Sequence, residues 1–262
     1  MTRKKPEPKK SAFRSLKDII VETFLIVVFM GLLITAVVFL ATRTVHAAEL
    51  PFIPDKAKLY LPALNNAIKV TGFPKEFQES IAGQVEQETC PALKSKKCWN
   101  PKTELKTSRE NGIGLGQLTI AYNADGTERF NGFKEVRQYK ELKDWAWEDR
   151  YNPEMQIRGI IIKDRIAYNM IKWSVINEYE KLAMTYAAYN GGVGGLLSDR
   201  KLTQMNNGDT TKWFGGIELY SKKSKIPHPE YKVSFFDINR SYPKNILTIR
   251  MMKYKPWMEK AK

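Results

Sequence analysis

Between Thr23 and Ala41 the chain runs for nineteen residues without a charged side chain, TFLIVVFMGLLITAVVFLA. A helix rises about 1.5 Å per residue, and ~20 such residues cross a bilayer. Seven Lys or Arg precede the run, from Arg3 to Lys17, whereas only Arg43 follows it before Lys56. The positive-inside rule therefore puts the N-terminus in the cytoplasm and the bulk of the chain on the far side. Two readings of the segment stand. One is a retained inner-membrane anchor, with the working domain facing the periplasm. The other is a secretory signal cut near Ala47, where TVHAAEL offers small residues. An apolar core longer than the ~7–15 residues of a signal peptide favours the anchor.

The rest of the chain is long enough for a sizeable core. The formal charge of +15 over the whole sequence calls for an anionic partner, such as a membrane surface or the cell envelope. Nucleic acid is not expected as a partner, because no zinc-finger spacing, phosphate loop or aromatic RNA-binding motif occurs. Cys90 and Cys98 are the two cysteines. In an oxidising compartment they are expected to form a disulfide closing a short loop, the alternative being two free thiols.

Apolar residues recur at three- and four-residue spacing in AKLYLPALNNAIKVTG and PKEFQESIAGQVEQET, which predicts helices, with Pro74 placed to open the second. Helical spacing returns over 152–173 and 176–190. Two short β-type runs flank Asp125-Gly126 within 117–133, a hairpin signal. The expected division is a basic tail (1–22), a transmembrane helix (23–41), a linker (42–57), a mainly α domain with a small β-hairpin (58–225) and a basic extension (226–262) whose role the sequence does not reveal.

SIAGQVEQET, residues 80–89, holds two carboxylates. At ~100° per residue Glu88 shares a face with Ile81 and Val85, while Glu86 points nearly the opposite way. They are therefore not a dyad. Glu86 is assigned to the solvent side. Glu88, on an apolar face, is a candidate acid, because lost hydration favours its neutral form. The plain alternative is a solvated residue at a helix end. Two more stretches stand out. SRENGIGLGQLT (108–119) is a glycine-rich turn leading to Gln117, without the Lys-Ser/Thr of a phosphate loop. TYAAYNGGVGG (185–195) ends an apolar helix in Tyr189-Asn190 and a glycine cap.

In this order AGQVEQET, NGIGLGQ and AAYNGG resemble the lytic transglycosylase domain of the soluble-transglycosylase type, and its relatives the goose-type lysozymes. The likeness covers roughly residues 60–200. It implies a lysozyme-like fold and peptidoglycan glycan strands as partner, with no cofactor and no metal. Glu88 would be the acid/base and Tyr189 would orient it through its hydroxyl. Ser108, Gly114, Leu115, Gln117 and Asn190 would contact the sugars, which lie against the glycine turn. The chain departs from the pattern in places. Thr89 replaces a serine, and Gly116 replaces a methionine, which predicts a more open groove wall. Gln156 replaces an asparagine. Ser108 and Thr119 stand where goose-type lysozymes carry aspartates. The Cys90–Cys98 loop reads as an insertion.

The reaction so implied cleaves the bond between N-acetylmuramic acid and N-acetylglucosamine and leaves a 1,6-anhydro end. A hydrolase of the same fold would need a second carboxylate, such as Asp125 or Asp149. A glycan-binding protein without activity is the rival from another class. Tyr122 and Trp145 are candidate rings for stacking on sugars. Secretion or conjugation machinery, wall remodelling and phage entry or lysis all suit a tethered enzyme of this kind, and no motif chooses among them.

Overall fold

The computed structural model describes residues 28–31, 35, 50–74 and 77–261. The basic tail and nearly all of the expected membrane segment lie outside them. Among the described residues no helix is long and apolar enough to cross a membrane.

Helix α1 spans Asp55–Thr71 and begins inside the stretch expected as linker. It buries Leu61, Leu64 and Ile68, the i, i+3, i+7 stripe its sequence predicts. Gly72 ends it at φ 76°, a left-handed position that its missing Cβ permits, with its N–H on the Ile68 carbonyl. Helix α2, Glu79–Thr89, starts well after Pro74, which therefore does not open it. This helix is enclosed on nearly every side, since Ile81, Ala82, Val85 and also Gly83, Gln84 and Glu86 are buried.

A four-stranded antiparallel sheet follows in the order β1 (Glu104–Lys106), β2 (Glu110–Ile113), β3 (Leu118–Tyr122), β4 (Glu128–Asn131). The expected hairpin is β3–β4, turning at Gly126 with φ 84°. The first two strands are too short and polar to carry a period-two signal. Next come α3 (Gly132–Val136), α4 (Pro153–Met170), α5 (Glu178–Gly191) and α6 (Val193–Met205). Asn152 caps α4 by accepting from the Glu154 and Met155 amides at 3.0 and 3.3 Å, with Pro153 in the first turn. Asn177 caps α5 in the same way, on Glu180 N at 2.9 Å.

Residues 226–261 are more than a basic tail. They form α7 (Phe235–Lys244), a π-helical stretch over Asn245–Arg250 and α8 (Met251–Lys260). Tyr242, Ile246, Tyr254 and Met258 from this region join the main core with residues of α1, α2, α4 and α5. From Leu50 onward the chain forms one compact unit.

The C-terminal segment also corrects the reading of Glu86. That residue is 3% exposed and faces protein, not solvent. It accepts from Tyr254 Oη at 2.5 Å and pairs with Lys253 at 2.6 Å and Arg250 at 3.5 Å. The approach is close because α2 carries a glycine there. A Cβ on Gly83 would stand 3.1 Å from Met251 N and 3.2 Å from Arg250 Cβ.

Cys90 and Cys98 are joined by a disulfide directly after α2. Thr89 Oγ1 accepts from the Trp99 amide at 3.0 Å, so both ends of the loop are fixed at the helix terminus. By loop-closure entropy, replacing both cysteines with alanine should cost about 2–3 kcal/mol in urea unfolding. A loss well below 1 kcal/mol would mean that the packing of Trp99 alone holds the loop.

Candidate active site

Helix α2 brings Glu88 to a groove of about 890 Å³, walled by the sheet on one side and by α5 and the C-terminal segment on the other. Gln117, Thr119, Lys163, Tyr189, Asn190 and Tyr242 also line it. A second cavity of about 550 Å³ adjoins it and shares Thr119, Lys163, Tyr189 and Asn190.

Glu88 is half-buried at the end of its helix. Burial pushes its carboxyl up from the ordinary carboxylate range to about 7. A hydrogen bond from Tyr242 and the charge of Lys163 oppose that rise by favouring the ionised form. The Tyr242 hydroxyl donates directly to Glu88 Oε1. Lys163 lies with Nζ 4.3 Å from the Tyr189 ring centroid, and burial holds its own pKa below the usual lysine value. The arrangement can keep a proton on Glu88 near neutral pH and also support the anion once that proton leaves.

Tyr189 lies beside the site, but its hydroxyl points elsewhere than the resemblance implied. It donates to the Gly116 carbonyl at 2.6 Å. Its ring stacks on that of Tyr242 at 6.3 Å and 8°, and Tyr242 supplies the bond to the carboxylate. Tyr242 and Lys163 are the residues sequence reasoning missed.

Gln117 adopts φ 44° and turns its amide back on the glycine turn, with Nε2 donating to Gly114 O at 2.7 Å and Thr103 O at 3.2 Å. Its Oε1 is buried against Gly112, without a hydrogen-bond partner among the described residues. Asn190 accepts from Asn239 Nδ2 at 3.1 Å and remains on the groove lining.

The other expected contacts fall differently. Leu115 is fully buried in the main core, and its amide donates to Gln156 Oε1 at 2.9 Å. Gly114, at φ 72°, packs on Gln156, whose Nε2 would stand 2.1 Å from a Cβ. Gln156 thus buttresses the turn from behind, donating also to Pro101 O and Arg150 O at 2.8 and 2.7 Å. Ser108 is an exposed rim residue that donates to Glu230 at 3.2 Å. Gly116 does not open the wall, because Ile160 Cγ1 would lie 2.3 Å from its Cβ. The space a longer side chain would take is already filled from α4.

Asp125, on the β3–β4 turn, accepts from Thr127, and Asp149 is exposed ahead of α4; neither lines the cleft. Glu104, on the groove wall, accepts from Tyr151 and pairs with Lys106, which together hold its carboxyl below the usual range. Trp145 is core, and Tyr122 lies outside both cavities. Among the described residues no three His, Cys, Asp or Glu gather as metal ligands.

The bond from Tyr242 makes a direct prediction. Tyr242→Phe removes a group that favours the Glu88 anion, so the pKa of Glu88 should rise. The alkaline limb of the pH–activity profile should then move to higher pH. A profile shifted toward acid, or unmoved, would show that Tyr242 does not act on this carboxyl.

No protein-family model matches the chain. Over 101 residues, 37% of the chain, it is 32% identical to the membrane-bound lytic murein transglycosylase F of Vibrio parahaemolyticus, covering 19% of that protein. A Vibrio campbellii protein of the same name is 33% identical over 101 residues. The match to the Yersinia pestis protein of that name is broader but weaker, 27% identical over 191 residues, which is 71% of the chain and 33% of the relative. The chain thus spans about a fifth to a third of the length of these curated relatives. They are distant homologues, and their names support a lytic transglycosylase family for it.

Proposed function

We propose that this protein is a peptidoglycan lytic transglycosylase with a lysozyme-like catalytic unit, and that Glu88 serves it as both acid and base. The observation that carries the reading is the half-buried Glu88 carboxyl on a groove of about 890 Å³, with its pKa raised by burial to about 7 and a hydrogen bond from Tyr242. The names of its distant relatives point to the same substrate.

On this reading Glu88 gives its proton to the oxygen between N-acetylmuramic acid and N-acetylglucosamine. The departing sugar leaves positive charge at C1, which the neighbouring N-acetyl group stabilises. Glu88, now a carboxylate supported by Tyr242 and Lys163, takes the proton of the C6 hydroxyl. The C6 oxygen bonds to C1 and the 1,6-anhydro ring closes. One carboxyl thus serves both steps and regains its proton at the end. Asn190, exposed on the groove lining, suits a sugar hydroxyl. We read the Thr23–Ala41 segment as the tether that holds the unit at the periplasmic face of the inner membrane.

The test is to incubate the full chain in detergent with purified peptidoglycan and identify released ends by mass spectrometry. Anhydro-muramic ends support the reading. Reducing muramic ends would make the protein a hydrolase. Binding without products would make it a glycan-binding protein.

A further inference from the structure

Two walls of the groove touch each other. Tyr231 Oη donates to Glu110 Oε1 at 2.6 Å, and Ser108 Oγ donates to Glu230 Oε1 at 3.2 Å. The Arg109 guanidinium lies 5.8 Å from the Phe235 ring centroid. Ser108, Arg109 and Glu110 come from the β1–β2 turn and the start of β2, on the sheet side. Glu230, Tyr231 and Phe235 come from the segment leading into α7. Arg109, Glu110, Tyr231 and Phe235 line the same groove as Glu88. Glu110 also lines the adjoining cavity.

The crossing segment has structure of its own. Pro227 and Ser234 form a β-bridge, His228 N donates to Val233 O at 3.1 Å, and Lys232 N donates to His228 O at 2.8 Å. The rings of His228, Tyr231 and Phe235 pack together with centroids 5.1–5.8 Å apart. Lys232 turns the chain at φ 59°. Much of the segment is exposed, Ile226 at 77%. A preformed loop, held to the opposite wall by one exposed and one part-buried hydrogen bond, can swing as a unit at low cost.

We infer that residues 226–234 are a strap over the substrate groove, latched by Tyr231 on Glu110 and by Ser108 on Glu230, and that the closed latch admits a glycan chain by its end. The inference rests on the proposed polymeric substrate. A strand bearing peptide stems cannot be laid sideways into a bridged channel, but its free end can thread. With the latch closed the protein releases small units from chain ends. With the latch open it cuts within chains.

The test compares the full chain with the Tyr231→Phe/Glu230→Ala variant on purified long glycan strands. The lengths of the first products are read early in digestion, and Tyr231→Phe alone guards against a folding defect. Losing both latch bonds should raise the ratio of intermediate-length fragments to small units by about tenfold. Equal length profiles would overturn the end-entry rule. Hydrogen exchange over 226–234 reads the latch without catalysis. Faster exchange in the variant, with the helices unchanged, supports the strap, and unchanged exchange overturns it. A parent chain that makes no anhydro ends would refute the functional reading and the end-entry rule together, and the exchange data would still decide the latch.

Discussion

Glu88→Gln is expected to reduce the release of 1,6-anhydro ends by about 10³-fold or more, since glutamine neither gives nor takes the proton. The same variant should be more stable than the parent in alkaline buffer. Burial raises the folded-state pKa of Glu88 from 4.5 to about 7, so folding favours its protonated form. The stability tied to that proton is fully present below pH 4.5 and is lost as pH rises through 7. At pH 8 the parent keeps an ionised carboxylate where the fold prefers a neutral one. Glutamine removes that conflict, for a gain of about 2–3 kcal/mol that vanishes toward pH 4.5. Denaturant unfolding at both pH values measures it. A variant that loses activity and is equally destabilised at both would mean that Glu88 is a packing residue.

The second large effect lies on the opposite face of the same helix. Glu86→Ala should cost about 3–5 kcal/mol, because it leaves Lys253 and Arg250 without their buried partner and Tyr254 without its acceptor. The damage should reach the active site, since α8 and Tyr242 belong to the same C-terminal segment. Glu86→Gln keeps an acceptor for Tyr254 and should cost less. Urea unfolding gives both values. A loss under 1 kcal/mol for alanine would mean that the apolar contacts of Tyr254 and Met258 hold α8 without the ion pairs.

These two glutamates show what the sequence made legible. Helices α1, α2, α4 and α5 and the Asp125-Gly126 hairpin were readable because their signals are local: apolar spacing, a glycine cap, a turn dipeptide. The face that Glu88 shares with Ile81 and Val85 followed from helical geometry alone. The fate of Glu86 did not. One-sided amphipathicity implies an exposed back, but α2 is covered on its back by a segment more than 160 residues later in the chain, as the 167-residue separation of Glu86 and Lys253 shows. Tyr242 was illegible for the same reason, since 154 residues separate it from Glu88. Tyr189 lay in a noticeable motif, yet its hydroxyl went to the Gly116 carbonyl, a choice set by how α5 meets the glycine turn. Gly116 suggested an open wall only while Ile160 was out of view. Local patterns placed the elements, and long-range packing chose the partners.

The proposed chemistry turns on what attacks C1, and the most direct measurement is digestion of peptidoglycan by the full chain in ¹⁸O-labelled water, with mass analysis of the new muramic ends. If the C6 hydroxyl of the same sugar is the acceptor, the new ends are 1,6-anhydro and carry no label. Labelled reducing ends would show that water attacks, and would contradict a single-carboxylate transglycosylase built on Glu88.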